Sequence, residues 1–359
     1  MAYTTIDDPS AHFDTKLHNG TGVAKTLAYD FEVDLFWTKM RNDAYHHSIF
    51  DSSRGANTRS RANENRAEEG ALNTAVFGNS SGVTLGIDDS SYGVNQELND
   101  SSAQAIYVAW GWKANGGTRT TNTESGDNPG GGYQANTTAG FSIVDYVGTG
   151  AAGTKTHGLG AVPHVMIHKN RADARDWRFY HKAYGAEKYL DMNTTSALGD
   201  ASTPWNDTDP TSSVFTVGSD GGSNDDGDNI IAYLWTEIQG YSKFGSYEGN
   251  GAADGPFAYT GFKPAWLLYR NIDRSENWII VDSKRNTYNV VSGANLQVNE
   301  ADAEATETRW GVDFLANGFK VRTDGSTNNA NNGDDETIIF MAFAEEPFVT
   351  STGIPATAR

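Results

Sequence analysis

The sequence predicts an all-β protein built as three tandem β-sandwich domains. Residues that favour turns are abundant, with 39 Gly joined by many Asn, Asp, Ser and Thr, and they punctuate short apolar stretches. Aromatic residues that favour strands are plentiful, at 9 Trp, 16 Tyr and 16 Phe. A pattern about 100 residues long recurs along the chain, and that is the size of a β-sandwich.

Composition bounds the function. Hydrophobic residues make up 37% and charged ones 20%, a mixture that can bury cores. Lys and Arg number 27 against 46 Asp and Glu, a formal charge of −19. Such a chain repels phosphate backbones and anionic lipid, so neither a nucleic-acid partner nor membrane insertion is expected. Cys is absent, which excludes disulfides, thiolate metal sites and cysteine nucleophiles and suits synthesis in a reducing cytoplasm. Met1 to Pro9 carries neither a basic region nor an apolar run, so no signal peptide is expected. No stretch approaches the ~20 apolar residues of a membrane helix.

The repeat is clearest where Tyr146-Val-Gly-Thr-Gly-Ala-Ala152 lines up with Tyr247-Glu-Gly-Asn-Gly-Ala-Ala253. The same offset sets Pro163 on Pro264 and Trp177 on Trp278. Phe215-Thr-Val-Gly-Ser-Asp-Gly-Gly222 then matches Phe319-Lys-Val-Arg-Thr-Asp-Gly-Ser326, and Ile231-Ala232-Tyr233 is aligned with Met341-Ala342-Phe343. A diverged first copy has Gly20-Thr-Gly22 for Gly148-Thr-Gly150 and Asp34-Leu-Phe-Trp-Thr-Lys39 for His164-Val-Met-Ile-His-Lys169. Its Ile49-Phe-Asp-Ser-Ser-Arg54 resembles Ile280-Val-Asp-Ser-Lys-Arg285, and Val108-Ala109-Trp110 closes it.

Each unit reads as a Gly-rich turn followed by strands. Ala265 to Arg270 and Trp278 to Val281 are apolar; Phe319 to Arg322 alternates as a half-buried strand does. Ile338 to Phe343 is apolar throughout, the pattern of a central strand covered on both faces. The units are residues 1–114, 141–240 and 241–349, each large enough to hold its own core. Residues 115–140, rich in Gly, Thr and Asn, are expected to form a linker or a long excursion between the first and second units. Residues 350–359 are a tail that either docks on a neighbour or is disordered.

No catalytic motif is present: no Gly-x-Ser-x-Gly, no His-Glu-x-x-His and no phosphate-cradling loop. The chain is therefore expected not to be an enzyme, with no catalytic, cofactor-binding or metal residues to name. His46-His47 is the one adjacent histidine pair, and neighbours on a strand point to opposite faces. His181 stands where the third unit has Asp282, which favours packing over catalysis. The acidic stretches Asp88–Asp100, Asp220–Asp228 and Asp324–Glu336 read as hairpin loops, with structural calcium as the alternative. Paired carboxylates for glycoside hydrolysis remain open among so many acids. Trp205 and Trp310 either cap a sandwich edge or stack on sugars.

The Tyr-x-Gly-x-Gly-Ala-Ala turn, the Phe-x-Val-x-x-Asp-Gly strand-turn and closing strands such as Tyr107-Val-Ala-Trp-Gly-Trp-Lys113 resemble SPRY-like, concanavalin-type domains repeated in structural proteins of marine bacteriophages. Gly245 to Gly251, Gly255 to Phe262 and Asp282 to Thr287 are similar to the same family, and the resemblance covers nearly the whole chain. It implies a jelly-roll-like sandwich in each unit and a place on the virion surface, with the protein made in the host cytoplasm. A tail-associated or fibre-like protein would recognise a host receptor, such as a glycan, through the variable segments Ala56–Ser81 and Leu190–Thr211. The alternative is an architectural protein, a capsid decoration or tail scaffold, whose partners are other virion proteins and copies of itself. No coiled-coil or triple-β stalk is evident, which favours the alternative or a distal module.

Overall fold

The computed structural model describes residues 3–55, 57–70, 75–79, 82–88, 93–123, 125–289, 294–305, 310–323 and 331–357. The protein is all-β, and its described residues form several open sheets and no barrel. The first repeat holds β1 (Phe13–Asn19), β2 (Lys25–Ala28), β3 (Leu35–Met40), β4 (Ser48–Asp51), β5 (Ser60–Arg61), β6 (Ala75–Asn79), β7 (Gly82–Leu85) and β8 (Ile106–Trp112). The second holds β9 (Thr120–Asn122), β10 (Gly131–Asn136), β11 (Phe141–Val147), β12 (Gly153–Thr156), β13 (Val165–Asn170), β14 (Arg178–His181), β15 (Lys188–Asp191), β16 (Gly199–Asp200), β17 (Val214–Val217) and β18 (Asn229–Trp235). In the third are β19 (Ser242–Glu248), β20 (Phe257–Tyr259), β21 (Phe262–Asn271), β22 (Ile279–Asp282), β23 (Leu296–Gln297), β24 (Val312–Leu315), β25 (Gly318–Val321) and β26 (Thr337–Pro347).

Each repeat has a larger and a smaller antiparallel sheet. The larger sheets share one order: β1-β8-β3-β4-β5, then β11-β18-β13-β14-β15, then β19-β26-β21-β22-β23. The smaller ones are β2-β7-β6, β12-β17 and β20-β25-β24. As the apolar run predicts, β26 is central, paired with β19 on one side and β21 on the other.

Strand register fixes which residues correspond. Leu35, Val165 and Trp266 each stand opposite the closing-strand residues Trp112, Trp235 and Phe343. Lys39, Lys169 and Arg270 are therefore equivalent, as are Asp51, His181 and Asp282. One sequence alignment needs correction: Ile231-Ala232-Tyr233 corresponds to Ile339-Phe340-Met341, two residues earlier than the match to Met341-Ala342-Phe343. A slip of two keeps every side chain on its own face, so an apolar pattern alone cannot detect it.

Alternation divides each closing strand between two cores. Ile338, Phe340 and Ala342 face an apolar cluster between the third repeat's two sheets, with Val312, Phe319 and Val321. Matching clusters surround Phe215 and Phe36 in the other repeats. Ile339, Met341 and Phe343 face the other way, into a core to which all three repeats contribute. Near its middle the Trp112 ring makes edge contacts with Trp235 at 6.2 Å, Trp266 at 5.7 Å and Phe343 at 5.7 Å, each worth about 1 kcal/mol beyond area burial. The repeats thus hold outer cores of their own and also share an inner one.

Three equivalent seams join the repeats cyclically. Immediately before β14, Trp177 donates its indole N–H to the Arg61 carbonyl of the first repeat at 2.9 Å. Trp278, before β22, donates to the Asp191 carbonyl of the second at 3.0 Å. Before β4 the place is taken by His47, whose Nε2 donates to the Gln297 carbonyl of the third at 3.1 Å. Arg61, Asp191 and Gln297 are themselves equivalent by register. The third seam closes a ring, and the chain ends reinforce it: Tyr3 donates to the Gly261 carbonyl at 2.8 Å and the Ser351 N–H to Asp7 at 2.6 Å.

Two segments differ from a plain linker and tail. Within 115–140, β9 and β10 form a hairpin that extends the second repeat's larger sheet, with β10 paired to β11. In the C-terminal stretch the Thr350 N–H bonds to the Ile354 carbonyl and the Ala356 N–H to that of Phe348, folding the chain back on itself.

Candidate functional site

The acidic loops earn their composition through the Gly-x-Gly turns. A buried Asn from each loop, Asn95, Asn224 or Asn332, reads the turn with its side chain. Asn224 donates to the Ala151 and Gly218 carbonyls at 2.7 and 2.6 Å and accepts from the Thr149 N–H at 2.9 Å. Asn332 and Asn95 repeat these bonds in their own repeats. The loop backbone lies so close that a Cβ on Gly148 would sit 2.1 Å from the Asp225 carbonyl oxygen. Gly150 has φ +66°, a conformation that favours glycine.

Among the described residues, Asp173, Asp225 and Asp228 bring carboxylate oxygens within 4.8 Å of one another. All three already have partners: Arg175 donates to Asp225 at 2.7 Å and lies 4.0 Å from Asp173, and Asn170 donates to Asp228 at 2.8 Å. Residues 324–330 of the third acidic loop and 89–92 of the first lie outside the described residues.

The other candidates are absorbed by packing. His47 accepts the Trp37 indole N–H on Nδ1 at 3.0 Å, so both ring nitrogens are engaged; burial holds its pKa well below the usual value. His46 turns instead to Asn63 and Glu64, so the pair does not converge on a metal. His181 is buried against the Phe340 carbonyl at 3.2 Å, its pKa pushed down to about 4 by burial. Trp205 and Trp310 are buried in the outer cores, which overturns their reading as exposed sugar-stacking rings. Asp51 and Asp282 are also buried, each gripped by an Arg three residues on and bonded to Tyr233 or Trp110 of the next repeat. Acids closed off from solvent cannot receive a substrate.

Each repeat also carries a buried cation at one equivalent position, which no motif in the sequence marks. Lys39 donates to the Met40 and Asp43 carbonyls, Lys169 to those of Asn65, Asp173 and Arg175, and Arg270 to those of Asp191, Thr194 and Ser196. Burial lowers their pKa values to about 7, 8 and 10. Asn65 belongs to the first repeat and Asp191 to Ser196 to the second, so these stretches of the variable segments hold the following repeat.

A concave region beside the first repeat is open to solvent. β1 and β2 are edge strands of the first repeat's two sheets, and between them runs a groove of about 680 Å³. Every charged side chain on its wall is basic: Lys16, Lys25 and Arg41. Arg41 is tied to Glu304 and Lys16 to Asp14, while the Lys25 ammonium meets the Asn19 carbonyl at 3.1 Å. His18 stacks on Tyr107 at 4.8 Å; burial pushes its pKa down to about 4, leaving it neutral at pH 7. Leu17 is 44% exposed beside them.

The architecture and this groove define an all-β protein of three interlocked repeats with an open basic side. The chain belongs to the family described as a domain of unknown function, DUF7483, whose model matches residues 8–347. No curated protein and no solved structure matches the chain. No helix among the described residues is long and apolar enough to cross a membrane.

Proposed function

We propose that the chain is a non-catalytic structural protein of a bacteriophage particle, with an architectural place as head decoration or tail scaffold. The observation that carries the architectural part is the use of the long variable segments. Asn65, Glu68, Asp191, Thr194 and Leu198 all bond to the neighbouring repeat, so these segments serve the ring before any receptor. The virion setting rests on the resemblance to SPRY-like, concanavalin-type repeats, and on that reading each two-sheet unit is a small jelly roll. Locating the chain in an intact particle by cryo-electron microscopy tests the proposal. Density spread over a head or tail surface, in contact with neighbouring subunits, supports it. Density at a fibre tip with the ring free in solvent replaces it with receptor recognition, and absence from the particle overturns the virion setting.

A further inference from the structure

We propose that the open side of the first repeat receives an extended, acidic segment of a partner protein, which adds a strand to β1 and seats a side chain between β1 and β2. The second repeat supplies the precedent. There the equivalent side is closed by the chain itself, because β10 pairs with β11 from Gly131 opposite Tyr146 to Asn136 opposite Phe141. The hairpin also holds β12: Asn128 accepts from the Thr154 N–H at 2.8 Å and Asn122 from Lys155 at 3.2 Å. Tyr133 packs against the outer core and lies over Gly158, where a Cβ would sit 2.1 Å from its ring. Among the described residues the first repeat offers the same edge with no such hairpin, so the groove stands where Tyr133 and its strand lie in the second.

Register carries the comparison to individual residues. Phe141 and Tyr146 stand opposite Trp235 and Ile230, and Phe13 and His18 opposite Trp112 and Tyr107. An added strand would therefore span Phe13 to His18. Its central residue, in the place of Tyr133, would face Lys16, as Tyr133 faces Val144. An unpaired edge supplies backbone hydrogen bonds to any strand, and pockets for alternate side chains supply the selectivity. Here the wall favours acids: its charged members are Lys16, Lys25 and Arg41, and while Lys16 and Arg41 are paired with Asp14 and Glu304, the Lys25 ammonium meets a backbone carbonyl. A second copy fits poorly: pairing β1 with β1 would bring two basic walls together, and like charges across an interface oppose association. The third repeat is closed in part by the N-terminus, where Tyr3 bonds to Tyr259 and Gly261 beside β20. The inference goes beyond the virion reading and holds whatever particle or cell supplies the partner.

The test selects a displayed library of random strand-length peptides against the full chain. Enrichment of peptides with alternating Asp or Glu around a central aromatic residue is expected. Their binding should fall about tenfold or more with Lys16→Glu, Lys25→Glu or both, and hydrogen exchange should show new protection across residues 13–18. Both lysines are partly exposed, and circular dichroism of each variant checks its fold; Lys25→Glu loses only a backbone contact and serves if Lys16→Glu misfolds. No enrichment, binding that ignores both substitutions, or protection elsewhere overturns the proposal. So does concentration-dependent dimerisation that the lysine variants abolish, because it makes a second copy the occupant.

Discussion

The Leu198 N–H donates to the Ile272 carbonyl at 3.2 Å, and this apolar pair stands where the other two seams carry ion pairs. Glu68 makes the same backbone bond to Arg171 and Glu304 to Arg41, at 2.9 and 2.7 Å. In both, the Arg side chain also grips the Glu in two bonds of 2.8 Å. One fold thus uses a charged and an apolar solution at the same position.

Exchanging the solutions at the first seam should therefore succeed only when both residues change. Glu68→Leu alone leaves Arg171 without its carboxylate and should cost about 2 kcal/mol, whereas Arg171→Ile with Glu68→Leu should return to within about 1 kcal/mol of the parent. Urea unfolding of the four proteins of this cycle gives the coupling. Equal loss in the single and double variants would show that the seam does not work as a pair.

The shared inner core should make the ring unfold as one unit. Calorimetry is expected to give a single transition, with a calorimetric enthalpy equal to the van't Hoff value. Residues 241–359 expressed alone should lack a sharp near-ultraviolet circular dichroism signal, because Trp266 and Phe343 lose their partners in Trp112 and Phe13. Three separate transitions would mean that the outer cores suffice.

The turn clamp should be sensitive at its centre and tolerant at its rim. Asn224→Ala, which strands two buried carbonyls, should cost about 2–3 kcal/mol, and Gly148→Ala at least as much. Asp226→Asn, on the exposed part of the same loop, should stay within about 0.5 kcal/mol. Thermal unfolding midpoints rank the three.

Acid should weaken the fold through its buried histidines. Burial lowers the pKa of His168 to about 3 and of His181 to about 4, so the unfolded chain, titrating near its ordinary 6.5, takes up these protons first. Their contribution is complete above pH 6.5 and is lost as pH falls toward 4, on the order of 3 kcal/mol per residue. His181→Gln should flatten the fall in stability between pH 7 and pH 4. An unchanged slope would assign the acid sensitivity to other groups.

The sequence showed the strands and the repeat well, because alternation and turn residues are local signals. Asp51-Ser-Ser-Arg54 and Asp282-Ser-Lys-Arg285 were matched correctly, since charged residues anchor an alignment that apolar ones leave free to slip. Closure of the ring was not legible. His47 does not resemble Trp177 and Trp278, and their shared task appears only when Gln297, 250 residues away, arrives beside the imidazole. The groove was hidden for a similar reason: Lys16 and Lys25 are unremarkable until two sheet edges leave a gap between them.

Joining three copies in one chain has a consequence that an assembly of identical subunits would not have. Separate subunits must change every copy together, so a hairpin that shields one flank would shield all three. A fused chain can let each copy drift alone. Here one flank carries β9 and β10, another is partly shielded by Tyr3, and among the described residues the remaining one stays bare. The inner core also cannot be diluted apart, because its three contributors are covalently bound to stay at high local concentration.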